Sequence, residues 1–154
     1  MINGSSNINL AERIESVKAG ILAAVALGIA YEVITLSNSL ILAEQFEELA
    51  ELQINTVNLH LWVSSAIALL GGFLFGVTYR YVIREDSNPH LKSGAVLAFG
   101  LVRGLAQVDI GLHVPGAIWP FVVLGLESVV LFAIARLVLD GAIDQGWVKP
   151  FNSR

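Results

Sequence analysis

Glu32, Arg103 and Glu127 stand inside long apolar runs, in the stretches "AYEVI", "LVRGLAQVD" and "GLESVV". An arginine between two carboxylates in apolar surroundings can form a buried ion pair, hold an ion, or pass a proton. Such groups cost about 2.5–3.5 kcal/mol each at the centre of a bilayer, so they are normally paired inside the protein. Helical spacing places Gly100, Arg103, Gln107 and Gly111 on one face, and Gly20, Ala24, Gly28 and Glu32 on another. The expectation is a buried polar cluster of Glu32, Arg103, Gln107 and Glu127. Arg103 would be its hub and Glu127 its natural partner, with Glu32 either a second partner or protonated by burial. Two readings stay open: a pair that fixes which helices pack together, or a binding or relay site.

A second set of chemistry-bearing residues is His60, Asp109 and His113. Histidines near a membrane interface can bind a metal or ligate a tetrapyrrole, and here they compete with plain interfacial hydrogen bonding. Neither HxxxH nor CxxC spacing supports ligation, and no cofactor is expected. Cysteine is absent from the chain, which excludes thiolate metal sites, thiol catalysis and disulfides. No GxSxG, HExxH, P-loop or dinucleotide-binding glycine motif occurs. Catalytic residues are therefore expected to be none.

Helices that cross a membrane must position these groups. The 154 residues are 55% hydrophobic and only 14% charged, with a mean hydropathy of +0.71, far from the balance of a soluble domain. A net charge of -4 leaves no basic stripe for nucleic acid. Against the ~20 residues needed to span hydrocarbon, four segments emerge: Val17 to Leu42, Val57 to Ile83, Leu91 to Val114, and Ile118 to Leu139. The polar start, Met1 to Leu10, does not look like a cleavable signal. Asn88 and Pro89 suit the cap and first residue of the third helix, and Pro120 an early position of the fourth. Glu32 lies ten residues before Leu42, Arg103 eleven before Val114, and Glu127 nine after Ile118; all three fall within a few ångströms of one depth at ~1.5 Å per residue.

Eight of the nine Lys and Arg residues, namely Arg13, Lys18, Arg80, Arg84, Lys92, Arg136, Lys149 and Arg154, collect on one side. The positive-inside rule puts both termini on the cytoplasmic or stromal side. The opposite loop carries Glu44, Glu47, Glu48 and Glu51, read as a solvated acidic face. Trp62 and Trp119 would mark the outer interface and Tyr79, Tyr81 and Trp147 the inner one. Gly20, Gly28, Gly72, Gly76, Gly100 and Gly104 form small-residue seams for helix packing, and those on the first and third helices are expected to face neighbouring proteins.

The block "YRYVIREDSNPHLKSGAVLAFGLVRGLAQVD", Tyr79 to Asp109, resembles a family of small integral membrane proteins of cyanobacteria and plant plastids. The resemblance implies a thylakoid or cyanobacterial membrane and an accessory association with the photosynthetic apparatus; it implies no catalytic residues.

The chain, residues 1–154, thus reads as one all-α membrane domain, a four-helix bundle. The expected role is a non-enzymatic accessory, assembly or subunit-type protein with membrane proteins or its own copies as partners. The alternative is a small oligomeric ion or proton transporter built on the Glu/Arg cluster.

Overall fold

A computed structural model describes residues 10–47, 59–84, 88–113 and 118–151, apart from the side chains of Ala43 and His60. They are overwhelmingly helical, with no strand among them. Helix α1 spans Leu10–Ser37 and continues through a π-helical turn, Asn38–Leu42, into a short piece, Ala43–Gln45; α2 is Leu59–Ile83, α3 Pro89–His113 and α4 Trp119–Asp144. All four are long and apolar enough to cross a membrane.

The helix ends follow from local chemistry. Asn88 Oδ1 accepts the His90 backbone N–H at 3.0 Å, capping α3 where Pro89 has no N–H to lose. Pro120 sits in the first turn of α4 for the same reason. At the other end of α4, Gly146 takes φ +74°, its N–H reaches Ile143 O at 3.0 Å, and Trp147 N–H reaches Ala142 O at 2.9 Å. These two bonds make a Schellman cap, which turns the chain back and buries Val148. Two helices extend past the apolar segments: α1 begins at Leu10 rather than Val17, and α4 ends at Asp144 rather than Leu139. Hydropathy registers only the hydrocarbon-crossing part, whereas the added turns hold polar residues with partners inside the protein.

Two antiparallel hairpins build the bundle. In the first, α1 lies on α2 along Ala19, Ala23 and Leu27, facing Gly72 and Gly76; a Cβ on Gly76 would stand 2.3 Å from Ala19 O. In the second, α3 lies on α4: a Cβ on Gly104 would stand 2.6 Å from Gly125 O, and one on Gly100 2.7 Å from Val129 Cα. Gly20 and Gly28 meet Phe73 and Leu69 of α2. The glycine faces of α1 and α3 are therefore covered within the chain rather than presented to neighbours.

The hairpins join chiefly along α1 and α4, while α2 and α3 touch more sparsely. Phe75 of α2, Phe99 of α3 and Phe132 of α4 form an aromatic knot with centroids 5.2–5.6 Å apart. On the side of this knot nearer the termini the bundle is filled; on the other side α2 and α3 leave a cleft between them.

A glycine at a seam and a glycine in open space should respond oppositely to a methyl group. Gly76→Ala is expected to lower the thermal midpoint of the detergent-solubilised protein. Gly94→Ala, with nothing within 4 Å of the added carbon, should leave the midpoint unchanged or raise it, by up to ~1 kcal/mol of helix propensity. Equal responses would contradict the seam.

Candidate functional site

The cleft has a volume of about 890 Å³ and lies between Val63 to Leu74 of α2 and Ala98 to Ile110 of α3, backed by Tyr31 of α1 and by Phe121, Leu124 and Phe132 of α4. Its position follows from the α3 seam. Gly100, Gly104 and Gly111 are spent on α4, against Val129, Gly125 and Phe121, so the residues beside them, Arg103 and Gln107, reach the cleft wall.

Arg103 is the unusual occupant. Its guanidinium carbon stands 5.7 Å from the centroid of the Tyr31 ring, a cation–π contact that stabilises the charge without accepting a hydrogen bond. Its Nε is buried with no hydrogen-bond partner. Ser128 Oγ lies 2.9 Å from both Gln107 Oε1 and Leu124 O, sharing one hydroxyl proton between them. The wall of the cleft is otherwise mostly apolar.

The structure does not bring the four expected cluster residues together. Glu127 accepts a hydrogen bond from Asn38 Nδ2 at 3.0 Å, and Glu32 accepts one from Ser65 Oγ at 2.7 Å on the exposed side of α1. Arg103 has no ion pair among the described residues. The reason is rotation about the helix axis, which depth along the membrane does not report. Successive residues turn by ~100°; Gly125, Ser128 and Val129 face α3, so Glu127 is turned away and meets α1. Asn38 reaches it from the π-helical turn, where Ser37 Oγ donates back to Val33 O at 2.8 Å, a bond that commonly bends a helix. Glu32 has Ile29, Val33 and Leu36 as its exposed neighbours and faces outward rather than into the protein.

Asp109 and His113 are exposed at the end of α3, where His113 Nδ1 lies 2.8 Å from Asp109 O. No group of three metal-ligating side chains occurs among the described residues. The side chain of His60 lies outside them, as do Glu48 and Glu51 of the acidic loop; Glu44 and Glu47 are exposed.

The most deeply buried charge is instead Arg80, only 1% exposed. Its Nε donates to Lys149 O at 2.7 Å and one Nη to Ser16 Oγ at 2.8 Å and Glu12 O at 3.2 Å; the other Nη pairs with the Glu12 carboxylate. Phe151 covers the guanidinium at 5.6 Å, and Lys149 N–H donates to Glu15 Oε2 at 3.0 Å. Beside this network Asp140 accepts from Tyr79 Oη at 2.7 Å and Lys92 Nζ at 3.0 Å, with Arg136 Nε at 3.4 Å. Together they seal the end of the bundle that carries both termini. Tyr79 is accordingly buried within the bundle rather than exposed.

Sequence reasoning treated Arg80 as a loop-side cation, yet a signal was present. Gly72, Gly76 and Arg80 recur at i+4, as do Glu12, Ser16 and Gly20, so the glycine seam runs directly into Arg80 on one helix and into Glu12 and Ser16 on the other. Asp140 carries no comparable sequence signal.

Neither a protein-family model, nor a curated protein, nor a solved structure matches the chain.

A double-mutant cycle separates the two arginines. Coupling between Arg80→Met and Glu12→Gln, read from denaturation midpoints, should exceed about 1 kcal/mol, whereas Arg103→Met and Glu127→Gln should add to within about 0.5 kcal/mol. Strong coupling in the second cycle would restore the pair that the geometry lacks.

Proposed function

We propose that this chain is a non-catalytic, multi-pass membrane protein of the accessory or subunit type, which works by holding a helix of another membrane protein against the outer face of α1. The observation that carries this reading is Glu32. It is exposed about two-thirds of the way along a membrane-length helix, ten residues before its end at Leu42, among Ile29 (63% exposed), Val33 (57%) and Leu36 (54%). The one hydrogen bond it accepts among the described residues comes from Ser65, which leaves acceptor capacity unused. A carboxylate facing lipid at that depth is costly; a partner helix bringing an N–H, hydroxyl or cationic donor removes the cost and adds van der Waals contact along the same stripe. On the resemblance carried by Tyr79 to Asp109, the partner belongs to the photosynthetic apparatus of a thylakoid or cyanobacterial membrane.

Other features agree with a helper rather than a conduit. The knot of Phe75, Phe99 and Phe132 fills the middle of the protomer, and the Arg80 and Asp140 networks close one end. Glu32, Arg103 and Glu127 have separate partners and do not form a chain for an ion or proton.

Photo-crosslinking side chains at Ile29 and Val33 test this in the native membrane. Both should give one discrete adduct heavier than the protomer, weakened by Glu32→Val, while Leu137 on α4, 68% exposed, gives none. Adducts of equal yield from all three positions, or none from any, would refute the α1 face; an adduct with a second copy of this chain would replace the partner protein by self-association.

A further inference from the structure

We infer that the cleft between α2 and α3 is a binding site for a long-chain monocarboxylic acid, with the carboxylate on Arg103 and the hydrocarbon chain along the apolar walls. This inference is independent of the α1 face, because Glu32 is not among the residues that line the cleft.

Charge complementarity identifies the head. Arg103 is fixed in place by packing on Tyr31, its Nε is buried and without an acceptor, and no carboxylate of the described residues pairs with it. A guanidinium in this condition is half of a bidentate site, since its fork matches a carboxylate or phosphate. Gln107 stands one turn further along α3 at the same wall, with its amide already held by Ser128.

Shape identifies the tail. The α2 wall runs from Val63 to Leu74, eleven residues and so ~16 Å, close to half of the ~30 Å hydrocarbon core and thus to one leaflet's acyl chain. A volume of about 890 Å³ lies within the range of ligand pockets. The aromatic knot closes the bottom through Phe99 and Phe132.

Depth chooses between acids. The Arg103 guanidinium packs on Tyr31 of α1 at the back of the cleft. Ten residues, or ~15 Å, separate Arg103 from His113 at the end of the helix. A phospholipid keeps its phosphate at the interface, at that distance from Arg103. A carboxylic acid can cross the hydrocarbon in its protonated, neutral form, enter sideways between α2 and α3, and lose its proton where the guanidinium stabilises the anion. In the bound state the proton has passed to bulk water, and no bond other than the acid O–H breaks.

The test is equilibrium binding of radiolabelled oleate to the delipidated, detergent-solubilised chain. One saturable site is expected. Arg103→Met should weaken it roughly tenfold to a hundredfold, the loss of a charged hydrogen-bonded pair, and Arg103→Lys should recover part of the affinity. Oleyl alcohol, with the same tail and no charge, should compete poorly. Ala106→Trp fills the cleft from an exposed wall position without touching the charge, and should abolish binding while the gel-filtration profile stays unchanged; it decides the matter should Arg103→Met fail to fold. Undiminished binding by Ala106→Trp, equal competition by oleyl alcohol, or preferential displacement by phosphatidylglycerol would each overturn the assignment.

Discussion

Lipid tails are as apolar as leucine, so burying apolar surface gives membrane helices no net reason to associate. What holds this bundle is close approach: Gly76 against the Ala19 carbonyl, Gly72 against Ala24, Gly104 against Gly125 and Gly100 against Val129. At each point backbone meets backbone or the base of a side chain, and dispersion contacts accumulate along the seam. These contacts also fix the rotation of each helix about its own axis. Every polar side chain then has its direction decided by seams in which it takes little part.

That rotation explains why two arginines in one small chain have opposite circumstances. Arg80 continues the Gly72 and Gly76 stripe, so the seam carries it into the α1 interface, where Glu12, Ser16 and the Lys149 carbonyl meet it. The tail returns to the bundle end because Gly146 reverses the chain after α4, bringing Lys149 and Phe151 over the guanidinium. An ordinary Schellman cap thereby completes the shell of a buried cation. Arg103 lies beside its seam instead of on it. Gly104 takes the contact with α4, and Arg103 turns toward a cleft whose lining among the described residues offers a ring face and no carboxylate.

The number and placement of the spans were legible because apolar runs of membrane length have few other meanings, and the α3 start was legible because Asn88 and Pro89 fit only one end of a helix. The polar pairing was not. Residue counting puts Glu32, Arg103 and Glu127 at one depth, but in the structure Glu127 meets Asn38, six residues beyond Glu32 along the chain, and pairing also needs azimuth. Glu127 and Ser128 differ by one position and face different helices. Azimuth was partly recoverable, since the i+4 glycines mark the buried stripe; extending the stripe of α2 by one turn reaches Arg80, and that of α1 reaches Ser16 and Glu12. The π-helical turn at Asn38–Leu42 carried no such mark, so the Asn38 partner of Glu127 lay beyond pattern reading.

Among the described residues, Arg103, with its buried Nε unpartnered, is the one place where the structure departs from the rule that buried polar groups are satisfied. Two glutamates stand in the apolar spans, yet the seams direct one to Asn38 and the other outward to Ser65. A bundle organised only for stability would have little reason to keep a guanidinium at Arg103, because an apolar residue of similar volume would avoid the desolvation entirely. The charge also borders an open volume rather than a packed core. Local violations of satisfaction, in a chain whose caps, seams and terminal networks are otherwise consistent, are expected at functional or strained positions. Among the described residues the unsatisfied group, the cavity and the lack of a protein counter-ion coincide at one residue.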